Sequence, residues 1–234
     1  MSVLTKTPGS APGPASPKRA PRFLRSSIGL KIVMALTGVI LSGYVLAHMA
    51  GNLQAFQGPG PIDAYAKMLH DAPVLLWGAR LVLLVAVGLH IWAYIVLTRR
   101  NLEARPQGYR AERHRESSYA SRSMVLTGPI LLAFIIYHIL HLTTGTVHPS
   151  FREGSVYHNV VTGLKVWWVV LFYLLALAAL GLHLWHGVWS MFQTLGASQD
   201  RYDSIGRKIA TVFTLAVVLG FAAVPIAVLA GVLK

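Results

Sequence analysis

The chain has 234 residues, of which 54% are hydrophobic and only 12% are charged. This composition excludes an ordinary soluble domain, which carries about 25% charged residues. It predicts an integral membrane protein. The chain has no cysteine, which excludes disulfides, covalently attached c-type haem and any iron–sulfur cluster ligated by this chain. The formal charge of +13 does not indicate nucleic-acid binding, because the basic residues cluster at the ends of apolar segments, as they do in membrane proteins.

The N-terminal segment differs in composition from the rest of the chain. Residues 1–21 are rich in proline, serine, alanine and glycine and contain no apolar run. This composition predicts a flexible basic tail, and the absence of an apolar stretch of signal-peptide length argues against a secretory signal. We therefore divide the chain into a cytoplasmic tail, residues 1–27, and a membrane domain, residues 28–234.

Five apolar segments follow the tail, and each is long enough to cross about 30 Å of hydrocarbon at about 1.5 Å per residue. The predicted spans are Ile28–Ala50, Val74–Thr98, Ser123–Thr144, Leu164–Gln193 and Ile209–Leu233. Pro129 is expected in the first turns of the third span, where proline is tolerated, and the apolar spacing in Pro61–Ala72 predicts a short surface helix. The fold class is an all-α bundle of five transmembrane helices.

The basic residues predict the orientation of this bundle. Most of the 21 lysines and arginines lie in the tail and the entry to the first span, in the second loop and in the fourth loop. The opposite side carries only Lys67, Arg80, Arg152, Lys165 and Lys234. Because cytoplasmic loops carry the excess of basic residues, the N-terminus is predicted inside and the C-terminus outside.

Four histidines occupy the first four spans, one in each: His48, His90, His138 and His183. An ionisable side chain within the membrane is costly and marks a functional site. Counted along helices that alternate in direction, His48 and His138 fall at one depth near the outer face. His90 and His183 fall at another depth near the inner face, about 10–15 Å away. Each pair suits one haem iron held between two neutral imidazoles, which predicts two stacked b haems within the first four helices.

Other histidines leave alternatives open. His141 and His186 lie one turn beyond His138 and His183, near the same helix face, and are second choices as ligands. Hydrogen bonding to haem propionates or a place in a proton route is the favoured role for them. The competing explanation for the four main histidines is simple hydrogen bonding between helices. Four more are expected to be solvated: His70, His114, His148 and His158.

Four sequence segments carry a resemblance to a known family. They are YVLAHMAGN around His48, LHIWAYIV around His90, LTGPILLAFIIYHILH around His138 and LGLHLWHGVWSMF around His183. Together with the five-span plan they resemble the cytochrome b558 membrane subunit of succinate dehydrogenase. More broadly, they are similar to the single-subunit, two-haem anchors of succinate:quinone oxidoreductases and fumarate reductases. The resemblance covers about residues 28–233.

The resemblance implies cofactors, partners and ligands. In this family the first helix shares a haem with the third and the second with the fourth, so His48 and His138 would hold the outer haem. His90 and His183 would hold the inner haem. The implied partners are a flavoprotein with FAD and an iron–sulfur protein on the cytoplasmic side of a bacterial cytoplasmic membrane. Menaquinone or ubiquinone would be the mobile carrier, and dicarboxylate chemistry would belong to the partners.

The quinone site and the function class remain open in the sequence. Polar candidates near the inner ends are Ser27, Lys31 and Arg122, and those near the outer haem are Asp63 and His70. No acidic residue falls inside a predicted span, so a proton path built on carboxylates is not expected. The alternatives are a di-haem anchor of the nitrate reductase or formate dehydrogenase type and a transporter that binds a metal ion or proton with its histidines.

Overall fold

The computed structural model describes residues 26–104, 119–196 and 203–234, so all but the last two residues of the predicted tail, His114 and most arginines of the second loop lie outside the described residues. Seven α-helices are described: α1 Ser27–Asn52, α2 Pro59–His70, α3 Pro73–Glu103, α4 Tyr119–Leu142, α5 Val156–Leu164, α6 Trp167–Thr194 and α7 Asp203–Leu229. Five of them, α1, α3, α4, α6 and α7, are long and apolar enough to cross a membrane. The prediction of an all-α, five-span protein is confirmed.

Local sequence signals explain where several helices begin. The Ser26 hydroxyl accepts a hydrogen bond from the backbone N–H of Gly29 at 2.9 Å, which caps α1. Pro59 and Pro73 open α2 and α3, where the missing N–H of proline costs no helical hydrogen bond. A 3₁₀ turn, Leu53–Gln57, and the positive φ of Gly58 turn the chain between α1 and α2. The predicted surface helix is thus confirmed as α2, beginning two residues earlier than expected.

The predicted fourth span, Leu164–Gln193, is confirmed as α6, which begins three residues later at Trp167. The sequence did not indicate the short helix α5, which precedes α6 and is separated from it by Lys165 and Val166. Val166 is extended, with φ −84° and ψ 110°. Hydropathy does not reveal α5 because this helix is too short to span a membrane, and it packs its valines over the end of the bundle.

The interpretation of Pro129 was wrong. Helix α4 begins at Tyr119, so Pro129 lies in its interior rather than in its first turns. Proline has no N–H, and the carbonyl four residues earlier, that of Val125, therefore loses its helical partner. The error arose because the apolar stretch begins after Arg122, whereas the helix extends into more polar residues before it.

Helix α6 organises the packing of the bundle. It packs against α4, α7 and α1, and α1 in turn packs against α3. Within the described residues, α3 and α4 make no extensive contact with each other. The four helices that carry the membrane histidines therefore form two packed pairs, α1 with α3 and α4 with α6, joined through α1 and α6.

The buried side chains form two clusters at opposite ends of the bundle. The larger one, the outer cap, joins α2 and α5 to the ends of α6 and α7 that lie beside them, with Ile62, Val160, Val170 and Val228 among its members. The smaller one joins the start of α1 to the end of α3. Between these ends, large apolar side chains of the long helices are exposed, which is the surface expected to face lipid.

Candidate haem-binding pairs and family membership

The outer pair consists of His48 on α1 and His138 on α4. Their ring centres lie 5.8 Å apart and their planes cross at 83°. Tyr44, one turn before His48, stacks on its ring at a centroid distance of 5.4 Å and an angle of 10°. Phe221 of α7 approaches the His48 ring at 5.7 Å, and Phe134 approaches the His138 ring at the same distance. Aromatic side chains therefore surround both imidazoles.

The inner pair consists of His90 on α3 and His183 on α6. Their ring centres lie 6.3 Å apart and their planes cross at 50°. Each ring also meets a threonine hydroxyl through its Nδ1: the Thr37 oxygen of α1 lies 3.0 Å from His90 Nδ1. The Thr127 oxygen of α4 lies 3.4 Å from His183 Nδ1. Both threonines are buried, so these contacts are shielded from competing solvent.

Both pairs have the dimensions of axial ligands. Two imidazoles that bind one metal ion from opposite sides each place a nitrogen about 2 Å from it, which separates the ring centres by roughly 6 Å. The observed separations of 5.8 Å and 6.3 Å match this value. The residues present therefore fit bis-histidine haem.

The pairs do not resemble a site for a bare metal ion. Across the described part of the chain, no three histidine, cysteine, aspartate or glutamate side chains come together in a group that could hold a metal. A bare zinc ion usually takes about four protein ligands, whereas each pair supplies two. Two trans imidazoles suit an iron whose remaining ligands come from a macrocycle.

The second-choice histidine His141 shares one neighbour with His138, because Nδ1 of each ring approaches the Tyr173 hydroxyl, at 2.9 Å for His141 and 3.3 Å for His138. The rings otherwise face different partners. The His141 side chain is buried and its ring stacks on His148 with centroids 5.0 Å apart, whereas His138 faces His48 on α1. This arrangement favours His138 as the ligand. His186 is partly buried one turn beyond His183.

The expectation that His148 is solvated was wrong. Its exposed fraction is 5%, and its Nε2 lies 2.9 Å from the carbonyl oxygen of Asn159 in α5. This burial was not predictable because His148 lies in a polar loop, and only the folding of α5 over that loop buries it. His70, by contrast, is exposed as expected.

The candidate quinone residues near the inner ends are not assembled into a site. Ser27 and Lys31 lie in the first turns of α1 and Arg122 lies near the start of α4. All three side chains are exposed, and no hydrogen bond joins them in the described structure. Asp63, proposed near the outer haem, instead accepts a hydrogen bond from the backbone N–H of Tyr157 at 2.8 Å, which ties α2 to α5.

Comparison with known protein families decides the class to which this bundle belongs. Residues 97–223, more than half of the chain, match the family described as succinate dehydrogenase/fumarate reductase transmembrane subunit. The chain belongs to this family. The matched region contains His138 and His183, whereas His48 and His90 precede it. No curated protein and no solved structure matches the chain.

Membership in the succinate dehydrogenase/fumarate reductase transmembrane subunit family confirms the resemblance stated from the sequence. The chain is a multi-pass membrane subunit of such a complex. The family is one of cytochrome b-type anchors, which implies haem and quinone in general. It also implies association with flavoprotein and iron–sulfur subunits.

Proposed function

We propose that this chain is the di-haem cytochrome b anchor of a bacterial succinate:quinone oxidoreductase, and that it carries electrons between the iron–sulfur partner and membrane quinone. The observation that carries the proposal is the presence of two facing imidazole pairs, His48 with His138 and His90 with His183. Each pair joins two different helices, so ligation would also tie the bundle together.

The role of the protein in this function is to hold and insulate two redox sites. A haem iron bound in each pair would supply one-electron chemistry. The imidazoles act as neutral nitrogen ligands, and the surrounding aromatic and apolar side chains keep water away from them. The two pairs lie at different depths, because α1 runs about 16 Å from Thr37, beside the inner pair, to His48 in the outer pair.

The proposed partners follow from the charges and the family. The basic ends of the spans support an orientation in which the inner pair lies on the cytoplasmic side of a bacterial cytoplasmic membrane, where the FAD-containing flavoprotein and the iron–sulfur subunit would dock. Menaquinone or ubiquinone would reach the chain from the bilayer. Ser27, Lys31 and Arg122 stay as candidate quinone contacts, supported by their polar character near the inner ends of α1 and α4.

Two other functions remain distinguishable. A di-haem anchor of a nitrate reductase or formate dehydrogenase would share the histidine pairs, but its redox partner would contain molybdenum rather than FAD. A transporter that binds a metal ion or proton through its histidines would be expected to gather them into one central cluster. The four histidines here form two separate pairs instead. Family membership favours the succinate dehydrogenase class over both.

The test is the optical spectrum of the purified full chain, oxidised and then reduced with dithionite, with haem quantified per polypeptide. We expect about two b-type haems per chain. With its partner subunits present, we expect succinate to reduce the haem. A well-folded preparation without haem would overturn the proposal. A haem-loaded complex whose haem is not reduced by succinate, but is reduced by formate or reoxidised by nitrate, would favour the alternative anchor.

A further inference from the structure

The hydroxyl group of Thr37 lies close to three hydrogen-bonding groups. Its oxygen is 2.8 Å from the carbonyl oxygen of Val33 and 3.1 Å from that of Met34, one turn earlier in α1. It is also 3.0 Å from His90 Nδ1. A carbonyl oxygen can only accept, so the hydroxyl can donate to one of the two carbonyls while its oxygen accepts a hydrogen bond from a protonated His90 Nδ1.

Thr127 makes the corresponding contact on the other side of the inner pair. Its oxygen lies 3.4 Å from His183 Nδ1, and the Met124 sulfur, a weak acceptor one turn earlier in α4, lies 4.0 Å away. Its exposed fraction is 2%. The Thr127 oxygen can likewise accept from a protonated His183 Nδ1, although the longer distance makes this the weaker of the two contacts.

The two threonines occupy equivalent positions in α1 and α4. Thr37 precedes His48 by 11 residues, and Thr127 precedes His138 by 11 residues. Eleven residues complete just over three helical turns, so in each helix the threonine and the histidine lie on one face. Each of these helices thus contributes a histidine to the outer pair and a hydroxyl to the inner pair. A repeated spacing with a repeated contact is stronger support than either bond alone.

We propose that Thr37 and Thr127 are positioning residues that fix the tautomer and ring orientation of His90 and His183, leaving Nε2 of each ring as the metal-binding nitrogen. This inference rests on the proposed haem function of the inner pair. A hydrogen bond from the second nitrogen of a metal-binding imidazole fixes its orientation and raises its basicity. A more basic axial ligand favours ferric over ferrous iron, so these hydroxyls also lower the reduction potential of the inner site.

The experiment compares Thr37→Val with Thr37→Ser in the full chain with its partner subunits. Valine keeps the shape of threonine without the hydroxyl, and serine keeps the hydroxyl. Thr214→Val in α7 is a matched control, because Thr214 is a buried threonine whose hydroxyl has no hydrogen-bond partner within the described structure. The measurements are haem affinity by competition with apomyoglobin, the midpoint potential of each haem, and the g-values of the ferric haems. The spectra of His90→Ala and His48→Ala variants assign the inner and outer signals.

We expect Thr37→Val to bind the inner haem on the order of tenfold more weakly, the usual cost of removing such a partner, and to raise its midpoint potential. Its ferric g-values should shift, while the outer haem is unchanged. Thr37→Ser and Thr214→Val should behave like the wild type. A Thr37→Val protein whose inner haem keeps its affinity, potential and g-values would overturn this inference alone. A folded wild-type chain that binds no haem would overturn the proposed function itself.

Discussion

The hydroxyl of Tyr173 lies 3.3 Å from Nδ1 of His138 and so joins the outer pair to the buried cap of the bundle. The same oxygen lies 2.9 Å from Nδ1 of His141, and Tyr173 is itself a member of the outer cap. A hydroxyl can donate one hydrogen bond and accept others. Tyr173 can therefore accept from one histidine while it donates to the other, and it orients His138 much as the threonines orient the inner pair.

Replacing Tyr173 with phenylalanine should weaken the outer site alone. Loss of the hydroxyl leaves Nδ1 of His138 and of His141 without this partner, at a cost of about 1–3 kcal/mol for each buried group left unpaired. We expect lower occupancy of the outer haem in the purified chain, with the inner haem retained. Tyr137→Phe is the control, because Tyr137 packs in the same aromatic group through its ring. Equal effects of the two variants on the outer haem would contradict this role.

Single histidine substitutions should separate the two haems. His90→Ala or His183→Ala should remove the inner haem and leave much of the outer one, because each pair is built from its own two side chains. His48→Ala or His138→Ala should have the reverse effect. The check is haem per polypeptide together with the reduced spectrum, with His70→Ala, at an exposed position, as the control. Loss of both haems from every variant, in protein that stays folded, would argue against two independent sites.

Gly163 is the glycine of α5 that allows the outer cap to close. A Cβ added there would lie 2.8 Å from ring atoms of His141 and 2.9 Å from Nε2 of His148, both of which are buried. We expect Gly163→Ala to destabilise the protein by about 1–3 kcal/mol through overpacking, measured by thermal unfolding in detergent. Gly78→Ala is the control, since no atom lies within 4 Å of its added Cβ. An unchanged unfolding temperature for Gly163→Ala would show that the cap rearranges freely.

The predicted orientation can be tested directly because the chain has no cysteine. Ser150→Cys, in the exposed loop between α4 and α5, should react in intact cells with a thiol reagent that does not cross the membrane. Leu195→Cys, exposed at the end of α6, should react only after the cells are permeabilised. The opposite pattern would reverse the orientation drawn from the basic residues and would place the inner pair at the outer face.

The five spans were predictable because lipid requires long apolar segments, and the length of each such segment can be read directly from the sequence. Helix α5 was not predictable, because it is too short to span a membrane and only its packing over the bundle end favours it. The burial of His148 depends on the same helix. Both features depend on how helices pack, which hydropathy does not describe.

The candidate site was likewise predictable only in part. The four histidines stand out in the sequence because ionisable groups are rare in membrane helices, and counting residues sufficed to match their depths. Thr37, Thr127 and Tyr173 were missed, because hydroxyl residues are common in such helices and usually bond to their own backbone. The repeated spacing of Thr37 with His48 and of Thr127 with His138 was the signal that could have identified two of them.

The placement of Thr37 and His48 on one face of α1 limits how the inner pair and the outer pair can move relative to each other. The distance between the two pairs is set by backbone hydrogen bonds inside a single helix, and α4 repeats the same distance with Thr127 and His138. Substitutions that loosen contacts between helices would change how firmly each histidine pair is held, but would not change the distance between the inner pair and the outer pair. In the proposed two-haem arrangement, electron exchange between the inner and outer pairs would depend steeply on this distance, and its rate should therefore tolerate sequence drift across most of the bundle.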